Sequence, residues 1–184
     1  MRGVWAVLLV VSLLATTALA AGPVAPPPDP TVAALSKLSG PAFDTAFMRA
    51  LIPVDEEAVE IASAATLNAD HTELLKWNQK LIERKTDQVR RMLAWLKEAG
   101  VAPGKRNVGV ASAPVKKMRS LKDAALERAY LPMMAAHLES SMHLAALAAQ
   151  KAFRPDLRAF AAGIVKIETQ ESVMLRGWLK KWYP

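Results

Sequence analysis

The sequence predicts an all-α protein: a four-helix bundle built from two tandem helical hairpins. Four long segments repeat apolar residues at three- and four-residue spacing, and no segment alternates apolar and polar residues as a strand does. The four segments form two pairs that resemble each other. A crossover of about 20 residues joins the pairs, and two hairpins joined in this way suit a four-helix bundle.

The first 20 residues are predicted to be a cleavable secretory signal peptide. Arg2 supplies a positive start, residues 4–14 form an apolar run of 11 residues, and "ALA" at 18–20 offers a small-x-small cleavage pattern. The run is too short to span a bilayer comfortably, although an uncleaved N-terminal anchor is the alternative. We therefore expect a periplasmic or secreted protein. Residues 21–40 form a Pro-rich leader, in which "GPVAPPPDP" at 22–30 is expected to be extended.

The bundle is predicted to occupy residues 41–184. Its helices are expected at about 41–68, 72–98, 120–151 and 154–181. Gly100 ends the second helix, Ser120 with Asp123 is a cap signal for the third, and "RPDL" at 154–157 places a Pro in the first turn of the fourth. Residues 99–119 show no clear period and are predicted to be a crossover loop.

The two hairpins align without a gap when the chain is shifted by 83 residues. Residues 43–98 then lie on residues 126–181, and ten of these 56 positions are identical. The alignment pairs "WLK" at 95–97 with "WLK" at 178–180. We interpret this as a duplicated helical hairpin, with repeat one at about 43–98 and repeat two at about 120–181.

Composition excludes several function classes. The chain carries a net charge of +7, with 24 basic and 17 acidic residues, and losing Arg2 with the signal leaves +6. No nucleic-acid motif accompanies this charge, so a nucleic-acid partner is not expected. The absence of cysteine excludes disulfides, thiolate metal sites and cysteine nucleophiles. No nucleophile–base pair, P-loop or dinucleotide fingerprint occurs, and we do not expect an enzyme.

Four motifs carry a resemblance to a known family. The first hairpin reads "LIPVDEEAVEIA" (51–62) and "KTDQVRRMLAWL" (85–96), and the second reads "MAAHLESSMHLA" (134–145) and "ETQESVMLRGWL" (168–179). Each half resembles the secreted domain-of-unknown-function 305 family, whose first helix carries a Met-Ile-x-His-His-x-x-Ala-Ile-x-Met-Ala pattern. The resemblance covers nearly all of the chain past residue 40 and implies a ferritin-like fold.

The resemblance also implies a metal, because some family members handle copper or silver through the His-His pair and the Met of the first helix. This chain departs from that pattern. The family's ligand positions fall on Val54, Asp55 and Ile61 in the first hairpin and on His137, Leu138 and Leu144 in the second. One histidine therefore survives of six positions, so the sequence resembles a duplicated member of the family with degenerate His-His motifs.

His137 is the best single candidate for a metal ligand. Met133 and Met134 lie one turn before it, and thioethers with imidazole suit Cu(I). Asp55 could complete the site, because the 83-residue offset places Val54 opposite His137. The alternatives are a core histidine beside gap-filling methionines and an ordinary exposed aspartate.

The other polar candidates are expected to have structural roles. His143 is predicted to be solvated or to face a partner, and His71 could cap the second helix or act as a ligand. Glu168 and Glu171 are spaced like ferritin-type iron ligands, but a di-iron bundle needs Glu-x-x-His pairs and none occurs. We expect these two glutamates on a solvated face.

Three features near the ends and faces of the bundle remain. Glu56 and Glu57 are expected to face solvent. Trp95 and Trp178 are predicted to be aromatic residues of the core or of the helix ends. The C-terminal "LRGWLKKWYP" could touch an anionic membrane, or it could be a fraying helix end.

Two functional hypotheses follow from the sequence. The first is an exported, non-catalytic protein that handles copper or a similar soft metal through His137, Met133, Met134 and Asp55. The second is a metal-free structural or protein-interaction module that has lost the family's ligands.

Overall fold

The computed structural model describes residues 29–184. In this range the chain forms six helices and no strand, which confirms the predicted all-α class. The helices are α1 (Pro30–Ser36), α2 (Gly40–Thr66), α3 (Thr72–Glu98), α4 (Ala113–Ser120), α5 (Asp123–Lys151) and α6 (Pro155–Trp182). None of them is long and apolar enough to cross a membrane. The predicted signal peptide and residues 21–28 of the leader lie outside the described residues.

The four long helices form the predicted bundle. α2 and α3 make one hairpin, α5 and α6 make the other, and α2 packs against α5. The apolar core lies in two clusters, one toward each end of the bundle. The first cluster contains Phe43, Phe47 and Leu51 of α2 together with residues of α1, α3, α5 and α6. The second contains Tyr130 and Leu138 of α5 together with residues of α2, α3, α4 and α6.

Carboxylates cap the second helix of each hairpin from the opposite hairpin. Asp44 of α2 accepts hydrogen bonds from the backbone N–H groups of Phe153 and Arg154, at 2.7 and 2.9 Å. Glu127 of α5 accepts from those of Asp70 and His71, both at 2.8 Å. Each carboxylate thus accepts from the two backbone N–H groups that immediately precede the helix, in partly buried surroundings where no helical carbonyl can pair them. The two caps are related by the same 83-residue offset.

The aromatic contacts between α3 and α6 follow the same offset. Trp77 packs edge-on against Trp178, with ring centroids 6.4 Å apart, and Trp95 packs edge-on against Phe160 at 5.3 Å. Edge-to-face pairs at these distances are favourable beyond the area they bury. The offset relates Trp77 to Phe160 and Trp95 to Trp178, so the two contacts are equivalent, as expected for a duplicated hairpin.

Two short helices lie where the sequence predicted none. α1 falls inside the Pro-rich leader; it starts because Asp29 caps it, accepting from the N–H of Thr31 at 2.7 Å, and it is held because Leu35 is buried. α4 falls in the crossover, where Val115 and Met118 are fully buried. One buried face on a helix of seven or eight residues gives too little period for detection from sequence.

The third long helix begins later than predicted. α5 starts at Asp123, while Ser120 ends α4 and donates its hydroxyl to the carbonyl of Lys117 at 2.9 Å. The backbone N–H of Asp123 bonds the carbonyl of Asn68 at 2.8 Å. This contact with the α2–α3 turn fixes where α5 can begin, and it is a long-range interaction that local pattern does not show.

Replacing Glu127 with alanine is expected to destabilise the protein by about 2–3 kcal/mol, because it leaves two partly buried backbone N–H groups without their acceptor. Glu127 also accepts a hydrogen bond from the Tyr183 hydroxyl at 2.6 Å, so the change should also release the C-terminus. Urea unfolding measures the loss. Glu139→Ala is the matched control on the same helix, because Glu139 makes only a surface ion pair with Arg176. Equal losses in both variants would contradict the prediction.

Candidate functional site

The three adjacent carboxylates of α2, at residues 55–57, lie in three different surroundings. Asp55 is fully buried in the bundle. Glu56 is also buried, bonding the Arg106 guanidinium and accepting from the N–H of Asn107 at 2.6 Å. Glu57 is half-buried. The expectation that Glu56 faces solvent was therefore wrong, because the crossover covers this face of α2.

Lys85 lies at the centre of the bundle and bonds three other helices. Its ammonium nitrogen is 2.6 Å from Asp55 Oδ1, 2.5 Å from Glu168 Oε1 and 3.2 Å from Ser141 Oγ. The four residues, one on each long helix, are all buried, and we call them the charged centre. The expected solvated position of Glu168 was wrong. Glu171 is largely buried and bonds Arg84 and the Trp77 indole N–H.

The charged centre separates the two apolar clusters. On α3, Leu81 belongs to the second cluster and Val89 to the first, with Lys85 between them. The same order holds on α2, α5 and α6, where each residue of the charged centre lies between contributions to the two clusters. The centre is therefore a polar layer at mid-height, and it joins all four helices.

The charged centre carries two carboxylates and one ammonium. Burial raises the pKa of Asp55 to about 6, although Lys85 partly offsets this rise. Burial alone would lower the pKa of Lys85, but Asp55 and Glu168 outweigh it and hold that pKa above its ordinary value. Asp55 Oδ2 and Glu168 Oε2 are buried without hydrogen-bond partners. The ammonium thus stays charged while it compensates only one of the two carboxylates, and the site favours uptake of a proton.

His137 lies where α5 meets α2. Its Nε2 is 3.0 Å from the carbonyl oxygen of Val54, and because that oxygen can only accept, Nε2 carries the hydrogen. Burial lowers the pKa of His137 below its ordinary value, so the ring is neutral near pH 7 and the lone pair resides on Nδ1. A ring held by a backbone carbonyl at one nitrogen and free at the other is the arrangement that metal-ligating histidines adopt.

The predicted metal ligands are only partly brought together. Met133 is half-buried and Met134 fully buried, both on α5 in the turn before His137. Asp55 instead bonds Lys85. Within residues 29–184, no three or more His, Asp or Glu side chains are grouped to hold a metal ion. The donors that remain are one imidazole and two thioethers, a set suited to a soft ion of low coordination number and not to Zn(II) or Fe(II).

The other two histidines lie away from this region. His143 is exposed on α5. His71 precedes α3, but its side chain makes no cap; its Nδ1 is 2.5 Å from Glu127 Oε2 and its ring stacks on Trp182 at 3.9 Å. Through Trp182 and Tyr183, the C-terminus is docked on the end of the bundle.

Solved structures similar to this chain share one fold. "CopM in the Cu(I)-bound form" matches with a TM-score of 0.68 and 18% identity, covering 77% of this chain and 98% of that one. "CopM in the Cu(II)-bound form" has a TM-score of 0.67 at 19% identity, covering 76% and 97%. "CopM in the Ag-bound form (by soaking)" has 0.64 at 20% identity, covering 77% and 97%. At these identities the likeness establishes the fold.

The sequence also matches a family model. The model for the domain of unknown function DUF305 matches residues 28–96 and 102–184, which together make up most of the chain. No curated protein matches the sequence. The resemblance first given by the helix motifs and the C-terminal Trp-Leu of each hairpin is therefore confirmed, and the chain belongs to the DUF305 family.

Proposed function

We propose that this chain is an exported, non-catalytic protein that binds one soft monovalent ion, Cu(I) or Ag(I), through His137 and Met133, with Met134 beside them. The observation that carries this proposal is the orientation of His137. Its Nε2–H is fixed by the Val54 carbonyl, and its Nδ1 is left unprotonated near pH 7. Met133 supplies a partly accessible thioether one turn away.

The comparisons support a metal of this class. The similar solved structures are described as Cu(I)-, Cu(II)- and Ag-bound forms of CopM. Cu(I) and Ag(I) accept two or three soft ligands, so the reduced ligand set of this chain suits them better than ions that need four. Asp55 is outside the proposed site because it bonds Lys85.

A second candidate function is a metal-free structural or interaction module. It is favoured by the charged centre, where the Lys85 ammonium already bonds Asp55, Glu168 and Ser141. A chain whose polar core is bridged by its own ammonium needs no metal to hold its four helices together. If this second function holds, His137 is a core histidine whose role is to donate a hydrogen bond to the Val54 carbonyl.

Thermal unfolding with Ag(I), Cu(I), Zn(II) and no metal separates the two candidates. If the first holds, Ag(I) and Cu(I) should raise the melting temperature by roughly 5–10 °C at a free ion concentration about 100 times Kd, because a ligand that binds only the folded state stabilises it. Zn(II) should give no rise. Met133→Leu keeps the side-chain volume and removes the thioether, so it should abolish most of the shift.

His143→Ala is the matched control for His137→Ala, since both histidines lie on α5 and His143 is exposed. The shift should survive in His143→Ala and disappear in His137→Ala. A shift that persists in both Met133→Leu and His137→Ala would place the ion elsewhere and overturn the proposed site. A flat response of the unmodified chain to all three ions would leave the metal-free module as the function.

A further inference from the structure

The positive charge of this protein is concentrated in the crossover. Residues 99–122 hold six of the 24 basic residues and no acidic residue. Arg2 lies in the predicted signal, and the 17 basic residues that remain equal the 17 acidic residues in number. The whole excess charge of the exported chain therefore resides in one segment, which we call the basic strap (99–122).

The basic strap is held along the outer face of α2. Arg49 of α2 donates its Nε–H to the carbonyl of Ala102 at 2.9 Å, and Glu60 accepts from the N–H of Gly109 at 2.8 Å. Between these contacts, Glu56 bonds Arg106 and Asn107. α4 then packs on α2 through its buried side. The strap thus has one orientation, with a fixed outer surface.

The outer surface of the strap is basic and partly apolar. Five basic side chains are exposed, and none of them makes an ion pair with any residue in the range 29–184; they are Lys105, Lys116, Lys117, Arg119 and Lys122. Val108 and Val110 lie between Lys105 and the other four, and they are 65% and 48% exposed. Arg106 is the one basic residue of the strap used to hold it in place.

We propose that the basic strap docks this protein on an anionic phospholipid surface. Unpaired lysines near a membrane are each attracted by anionic headgroups, and exposed aliphatic side chains among them can enter the interface. The five exposed basic side chains are spread from residue 105 to residue 122, over a loop and helix α4, which fits a fluid array of headgroups better than one acidic protein. This surface is formed by α4 and the preceding loop and does not depend on metal at His137.

Flotation with lipid vesicles tests the proposal on the exported chain. The chain should float with vesicles of phosphatidylcholine and phosphatidylglycerol at low ionic strength, should float less as salt screens the charges, and should not float with phosphatidylcholine alone. Changing the five exposed basic residues of the strap to glutamine should weaken binding by roughly tenfold or more. Val108→Ser with Val110→Ser should weaken it further without changing the salt dependence.

A control variant with the same net charge separates surface position from total charge. It changes five exposed lysines outside the strap to glutamine, namely Lys76, Lys80, Lys97, Lys166 and Lys180. Binding should be largely retained in this control. An equal loss in both variants would show that only net charge matters, and it would overturn the proposal. Failure to bind phosphatidylglycerol vesicles while binding polyglutamate would also overturn it, in favour of an acidic protein partner.

Discussion

Replacing Lys85 with methionine is expected to lower the free energy of unfolding by about 3–5 kcal/mol near pH 7.5. Methionine matches the length of the stem but carries no charge, so Asp55 and Glu168 would remain buried without a counter-ion. Both carboxylates lie within 2.6 Å of the lysine nitrogen in the native structure. The loss should shrink near pH 5, because protonation can then relieve the uncompensated charge. Urea unfolding at the two pH values measures both effects.

Two further variants identify the origin of that loss. Lys80→Met changes an exposed lysine of the same helix and should cost little. Adding Asp55→Asn and Glu168→Gln to Lys85→Met removes the buried charges, and should recover a large part of the stability, since a neutral centre no longer needs the ammonium. A triple variant as unstable as Lys85→Met alone would show that packing of the lysine stem, not its charge, is what matters.

The fold was largely predictable because its determinants are local. The apolar period of each long helix, Gly100 after α3 and Pro155 at the start of α6 fix the element order. The 83-residue offset also identified equivalent positions in the two hairpins. Asp44 and Glu127, for example, are related by this offset, and each caps the second helix of the opposite hairpin. The short helices α1 and α4 were not predicted, because one or two turns are too short to show an apolar period.

The charged centre was missed although the sequence carried a signal for it. Lys85 occupies the position between Leu81 and Val89, at four-residue spacing on the apolar stripe of α3. The offset pairs Lys85 with Glu168, a residue of opposite charge, and the two are in contact. A lysine on a core stripe whose repeat equivalent is a glutamate indicates a buried ion pair near the pseudo-symmetry axis.

The burial of Glu56 could not be read from the sequence. It depends on where the crossover lies, and a segment without a period gives no indication of which helix it will cover. Asn107 and Arg106 reach Glu56 across 50 or more residues of chain. Contacts between residues so far apart in the sequence depend on the assembled fold. A carboxylate on a helix face is therefore predicted to be solvated unless the segment that covers it is known.

Asp55 is expected to make stability depend on pH in the direction opposite to ordinary acid denaturation. Burial raises its pKa from the ordinary value of 3.8 to about 6 in the folded protein. A raised pKa contributes stability that is fully present below about pH 3.8 and is lost as pH rises through about 6. The stability of the unmodified chain relative to Asp55→Asn should therefore fall by about 2–2.5 kcal/mol between pH 4 and pH 7.5, because each pKa unit is worth about 1.4 kcal/mol and the stabilisation is not yet complete at pH 4.

The comparison with Asp55→Asn is necessary because other carboxylates act in the opposite sense. Hydrogen bonds from His71 and Tyr183 outweigh the burial of Glu127 and lower its pKa, so its contribution is lost as pH falls. Subtracting the two urea series cancels this term, since both chains retain Glu127. Gln170→Ala changes an exposed side chain that carries no titratable group, so it serves as the control, and its difference from the unmodified chain should stay flat. If the difference for Asp55→Asn is flat as well, the prediction is wrong, and the Lys85 ammonium compensates the charge of Asp55 fully.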